Sequence, residues 1–142
     1  MAGRLPYAKR HKYPHMIGEN AEIWSRFIDE NPGRFESADY DFRVGEGMEL
    51  KQEWPENVKR DATALTQKRI DVLAWKGDQP TIVEVKRRVG LSALGQVLGY
   101  KILFMRDLPH IKEPELLVVT GKIGEDDRRV LEGHNVPVEV MS

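Results

Sequence analysis

Between Arg69 and Lys86 the chain alternates apolar and polar positions as strands do. Arg69-Ile70-Asp71-Val72-Leu73-Ala74-Trp75 and Thr81-Ile82-Val83-Glu84-Val85-Lys86 are rich in β-branched and aromatic residues. Lys76-Gly77-Asp78-Gln79, before Pro80, carries the Gly and Asp of a hairpin turn. Folding that turn so that Trp75 meets Pro80 sets Asp71 opposite Glu84 and Arg69 opposite Lys86. Opposed residues share a face, with Cβ atoms about 5 Å apart, and period two adds Lys86 to the face of Glu84. Leu73, Trp75 and Ile82 fill the rest of that face, while Ile70, Val72, Ala74, Val83 and Val85 make the other face wholly apolar. Strands apolar on both faces belong in the middle of a covered sheet. Two carboxylates and a lysine there stand at the margin of a core, which is costly unless they are paired or bind a metal.

The other elements follow from the same patterns. Gly18 to Asn31 reads as a helix, with Ile23, Trp24, Phe27 and Ile28 at helical spacing and a stop at Asn31-Pro32-Gly33. Tyr40, Phe42 and Val44 alternate as a strand, followed by Gly45-Glu46-Gly47 and a continuation from Met48 to Leu50. Residues 51–68, with Lys51, Glu53, Lys59, Arg60, Asp61 and Lys68, are polar and weakly patterned, which predicts a loop over the site. Ser92 is the expected N-cap of a helix running to Arg106 or Asp107 that buries Leu94, Val97, Leu98, Ile102 and either Phe104 or Met105. Gly95 and Gly99 inside it cost about 1 kcal/mol each relative to Ala. Close packing on the sheet is their expected reason, with approach of another chain as the alternative. Leu116 to Thr120 reads as a buried strand, Glu125 to Glu132 as a helix ended by Gly133-His134-Asn135, and Val136 to Met141 as a final strand. Strand, helix and strand in succession imply a crossover and parallel pairing.

Composition narrows the class. At 142 residues, 40% hydrophobic and 32% charged, the chain suits one soluble globular domain with a real core. It has no cysteine, which excludes disulfides and thiolate metal sites. No apolar run approaches the roughly 18 residues of a membrane span, and the N-terminus lacks a signal-peptide stretch. An intracellular, cytoplasmic location without membrane contact is expected, the host cytoplasm if the source is viral. The net charge is −1, so attraction to nucleic acid must be local. Residues 1–17 hold Arg4, Lys9, Arg10 and Lys12 with His11 and His15 and lack acids before Glu19, and Lys86-Arg87-Arg88 is a second basic cluster. Such cations contact phosphates without reading sequence. The N-terminal arm reads equally as a solvated tail or as a segment that orders on a partner, attached to a domain spanning residues 18–142.

Two carboxylates held together repel, and a divalent cation relieves the repulsion; hard oxygen ligands suit Mg²⁺, with Mn²⁺ as a substitute. Such a metal polarises a phosphate and lowers the pKa of a bound water. Lys86 is placed to orient or deprotonate the attacking water. The chemistry predicted is metal-dependent phosphodiester hydrolysis.

Asp71, twelve intervening residues and then Glu84-Val85-Lys86 resembles the PD-(D/E)xK nuclease superfamily, and Gln96-Val97-Leu98-Gly99-Tyr100 is similar to the Q-hydrophobic-x-x-Y motif of its RecB-like branch. Ile70 stands where the family's name puts proline. The resemblance implies that Asp71, Glu84 and the Val85 carbonyl ligate the metal and that Lys86 is the catalytic lysine. Gln96 and Tyr100, on one helix face, would support the site or contact DNA. It also implies an acidic residue on the first helix, for which Glu22 is the first choice and Glu19 its rival. The implied fold is α/β, a restriction-endonuclease-like mixed sheet flanked by helices in the order α-β-β-β-α-β-α-β.

The expected function is a Mg²⁺-dependent deoxyribonuclease acting in repair, recombination or processing of viral or mobile DNA. Asp71, Glu84, Lys86, Glu22, Gln96 and Tyr100 would form its active site, and Arg87, Arg88, Lys9, Arg10 and Lys12 would lie on DNA. A Holliday-junction resolvase of the same fold, which requires a homodimer, is one alternative. A non-catalytic DNA-binding scaffold is another, and a protein partner supplying specificity fits either.

Overall fold

The computed structural model describes residues 2–47 and 53–141; the continuation expected from Met48 to Leu50, and Lys51, lie outside them. The described residues form, in chain order, β1 (Leu5–Pro6), α1 (Gly18–Glu30), β2 (Ser37–Val44), α2 (Glu56–Thr66), β3 (Lys68–Lys76), β4 (Gln79–Val89), α3 (Ser92–Asp107), β5 (Glu115–Ile123), α4 (Glu125–Gly133) and β6 (Val138–Val140). The strands make one mixed sheet in sequential order. β1 to β4 are antiparallel, β5 is parallel to β4 across α3, and β6 is parallel to β5 across α4, as the strand–helix–strand pattern predicts.

Each face of the sheet is covered, which is why its central strands are apolar on both sides. On one face α1 lays Ile23, Trp24, Phe27 and Ile28 against Val72, Ala74, Val83, Val85, Leu117 and Val119. Trp24 and Phe27 stack with centroids 5.1 Å apart, and the buried Trp24 Nε1–H donates to Tyr40 Oη at 3.0 Å. Burying each of these large side chains stabilises the fold by about 1.5–3 kcal/mol. On the other face, Ala93, Val97 and Phe104 of α3 and Leu131 of α4 meet Leu73, Trp75, Ile82, Leu116 and Val118.

Part of the N-terminal arm packs against the domain. Leu5 and Pro6 pair with Ala38 and Ser37 at the sheet edge, where a proline costs no ladder bond. Tyr13 is buried, with its hydroxyl 2.6 Å from Ser25 Oγ. Residues 56–66, expected to be a loop, form α2; Val58 and Ala62 four apart are a spacing too sparse to stand out among its charges. Ser92 opens α3 as its first residue and makes no capping bond. Ile102, expected to be buried, is 70% exposed, Met105 is exposed, and Phe104 takes the core position. Gly95 and Gly99 do not pack on the sheet, because a Cβ at either would meet nothing within 4 Å.

One irregularity sets the geometry of the site. Tyr40 pairs with Val72 and Phe42 with Ile70, yet the Asp41–Asp71 pair between them is missing from the ladder. Asp41 has φ of +53°, a left-handed conformation that Asp tolerates better than most residues. Across this break both strands change faces. Ala38, Tyr40, Val72 and Ala74 belong to the α1 core, whereas Phe42, Val44 and Ile70 belong to the α3 core. Ile70 therefore joins Leu73 and Trp75, not Val72 as strict alternation predicts.

Candidate active site

The hairpin register runs as predicted from Lys76–Gln79 through Trp75–Pro80 to Val72–Val83, and there it stops. Asp71 is not paired to Glu84 through the backbone. Instead the Val85 N–H donates to Asp71 Oδ2 at 3.0 Å, so a carboxylate takes the place of the next ladder bond. Nor does Arg69 face Lys86: it pairs across β2 with Arg43 and lies 3.7 Å from Asp41 Oδ1. From Glu84 onward the only strand that β4 ladders with is β5, with Glu84 on Val118 and Lys86 on Thr120. The parting of β3 and β4 leaves room for chemistry at the sheet margin.

Asp71 and Glu84 lie close enough there for the charge of one to act on the other. Glu84 is only 2% exposed. Burial, then the Asp71 charge and the shared hydrogen bond, push its carboxyl from 4.5 up to about 8, and the nearby Lys86 ammonium pulls partly the other way. A carboxyl held protonated near neutrality by burial beside a second carboxylate is a donor pair that a cation would complete. Among the described residues no group of three or more His, Cys, Asp or Glu side chains gathers at one point. Protein oxygens here would thus be the two carboxylates and a backbone carbonyl such as that of Val85, leaving positions for water and phosphate. That arrangement suits Mg²⁺ or Mn²⁺ and fits no cysteine- or histidine-rich metal centre.

Helix α3 brings the predicted tyrosine within electrostatic range of this margin. Burial raises the Tyr100 hydroxyl to about 12, with Glu84 and Asp71 adding to the effect, so the ring lies within range of both carboxylates and stays a proton donor. Gln96 Oε1 is buried without a hydrogen-bond partner among the described residues. An orphaned acceptor costs about 1–3 kcal/mol, a cost that makes sense where a ligand or water completes it. Gln96 and Tyr100 line a cleft of about 450 Å³ with Lys68, Ser92, Gly95 and Gly99. The two glycines open this cleft.

Other predicted residues lie elsewhere. Glu22 is not brought to the carboxylate pair. It lines a separate cleft of about 280 Å³ between α1 and the ends of β4 and β5, together with Glu19, Arg26, Arg87, Arg88 and Lys122. Glu19 is already committed, 3.0 Å from Arg87 Nε, while Asn20 Oδ1 accepts the Arg87 N–H at 2.9 Å. Lys86 and Arg88 are exposed and make no ion pair among the described residues. Lys9 pairs with Asp29 at 3.1 Å, Arg10 donates to the Lys12 carbonyl at 3.3 Å, and all three arm cations remain exposed.

Sequence pattern alone missed a charged cluster beside the site. Asp41, at the strand break, has its carboxylate 3.3 Å from His15 Nε2 and 3.7 Å from Arg69 Nη1, with His15 also at positive φ. Its one visible signal is an acid inside the Tyr40 to Val44 alternation. No family model, no curated protein and no solved structure matches this chain.

Proposed function

We propose that this protein is a divalent-cation-dependent nuclease that hydrolyses DNA phosphodiester bonds. The observation that carries the reading is the buried Glu84 carboxyl against Asp71 at the point where β3 and β4 part, with Lys86 two residues on. The resemblance of Asp71, Glu84-Val85-Lys86 and Gln96 to Tyr100 to the PD-(D/E)xK superfamily supports it. The α/β sheet with helices on both faces is compatible with a restriction-endonuclease-like core.

In this reading Asp71, Glu84 and the Val85 carbonyl hold Mg²⁺ or Mn²⁺. When bound, the cation neutralises charge on the scissile phosphate and makes a bound water more acidic. Asp71 is fixed for this by the Val85 N–H, so its second oxygen has little freedom to lose. Lys86, exposed at the mouth, orients the attacking water and offsets the charge that builds on the phosphate oxygens. Tyr100 and Gln96 order the inner wall of the cleft. Arg88, Arg26 and Lys122 offer phosphate contacts where the strand leaves the site.

Asp71→Asn tests the assignment. It keeps the shape and the bond from Val85 but weakens the cation site, so cleavage should fall by at least about a hundredfold while DNA affinity holds. Unchanged cleavage, or parallel loss of cleavage and binding, would contradict it.

A further inference from the structure

The cleft between α1 and the ends of β4 and β5 owes its charge to a second break in the sheet. Lys86–Thr120 and Arg88–Lys122 belong to the parallel ladder, and the Arg87–Gly121 pair between them is missing. Val85 and Val119 pack into the α1 core, yet Val89 and Ile123, four residues further on and so of the same parity, pack into the α3 core. Gly121 permits this change of face, because a Cβ there would stand 2.9 Å from the Arg87 carbonyl oxygen. Consecutive strand residues point to opposite sides, but here Arg87 and Arg88 line one cleft with Lys122, Arg26, Glu19 and Glu22.

We infer that this cleft holds the terminal phosphate of a nucleic-acid strand, a phosphate monoester. Charge is the first argument. Glu19 neutralises Arg87 at 3.0 Å. Among the described residues Arg26, Arg88 and Lys122 make no ion pair, which leaves three free cations around one unpaired carboxylate, Glu22. The excess of two positive charges exceeds what a backbone phosphodiester, with its single negative charge, would balance. A monoester carries about −1.5 to −2 at pH 7 and offers three strong acceptor oxygens to the guanidinium forks. Size is the second argument. At about 280 Å³ the cleft is smaller than the roughly 300–1,000 Å³ sites that house a whole small molecule, and it suits an anion better than a base with its sugar. Position is the third. Lys86 precedes Arg88 by two residues, about 7 Å along β4, so a nucleic-acid strand held by its end lies beside the carboxylate pair. The inference rests on the nuclease reading only in taking the bearer of the phosphate to be a nucleic-acid strand.

Calorimetric titration in EDTA, where metal-dependent cutting cannot interfere, tests it with short single strands of one sequence that carry a 5′-phosphate, a 3′-phosphate or hydroxyls at both ends. One of the phosphorylated strands should bind at least about tenfold more tightly than the hydroxyl-ended one. The double variant Arg26→Gln with Lys122→Gln, at two exposed positions, should lose that preference. Glu22→Gln, which removes the opposing carboxylate, should strengthen it, a gain that a misfolded variant could not produce. Thymidine 5′-monophosphate should bind more weakly than the preferred strand. Equal binding of the three strands, no binding of any, or a preference that survives the double variant overturns the inference. A mononucleotide bound as tightly as the phosphorylated strand also overturns it and assigns the cleft to a free nucleotide. An end preference in a protein that cuts nothing would uphold this site while removing the nuclease reading, and cutting without an end preference would do the reverse.

Discussion

At the scale of single residues, the account turns on Glu84. Its neighbours raise the carboxyl from 4.5 to about 8, so the folded state binds that proton more tightly than the unfolded chain does. The resulting stabilisation is complete below about pH 4.5, where both states are protonated, and is lost as pH rises toward 8. In EDTA the melting temperature should therefore fall by roughly 5 to 15 °C between pH 5 and pH 8. Glu84→Gln, which stays neutral, should flatten the fall and melt above wild type at pH 8. Mn²⁺ should raise the wild-type melting temperature more at pH 8 than at pH 5, since it competes with the proton for the same oxygens. A wild-type melting curve flat across this range would show that the carboxyl pair is not buried as described. The hairpin register that set Asp71 opposite Glu84 ends at Val72–Val83, yet the two side chains still interact, because the Val85 N–H holds Asp71 Oδ2 in place of the next ladder bond. The place of Glu22 was not legible in sequence, because which residues of α1 lie near the hairpin depends on how the helix sits across β4 and β5.

Among elements, the decisive feature is the paired change of face in β2 and β3. Period-two reasoning assumes an unbroken extended backbone, and a single left-handed residue defeats it. That is why the register was predicted correctly from Trp75–Pro80 to Val72–Val83 and failed one residue later, with Ile70 assigned to the wrong side. Asp41→Ala should cost about 1–3 kcal/mol, from the positive φ together with the lost contacts to His15 and Arg69. Asp41→Gly loses the same contacts but tolerates the backbone. Urea unfolding should therefore rank wild type above Asp41→Gly and Asp41→Ala lowest. Equal losses for the two substitutions would mean that the conformation at Asp41 stores no strain. Helix α2 escaped prediction because few apolar positions break its polar sequence. The outward face of α3 was misread because Ile102 and Phe104 are equally apolar in sequence, and packing alone decides which is buried.

At the level of the whole molecule, the parallel pairing of β6 on β5 follows from the strand–helix–strand connection and was readable in advance. The arm's place at the sheet edge was not, since a two-residue strand leaves almost no pattern. No helix among the described residues is long and apolar enough to cross a membrane. With a net charge of −1, the DNA binding proposed above would have to come from local cations. Arg88→Ala should weaken binding alike on unrelated sequences and lower the salt slope by about one. An unchanged slope would remove the α1-side cleft from the path of the strand.

The nuclease reading is tested most directly by incubating labelled linear duplex, circular single-stranded and four-way-junction DNA with Mg²⁺, with Mn²⁺ and with EDTA, using wild type beside Glu84→Ala. The account predicts cutting of at least one substrate by wild type with either metal, none in EDTA, and none by the variant. Cutting that persists in EDTA or in Glu84→Ala, or no cutting of any substrate that the protein binds, would contradict it.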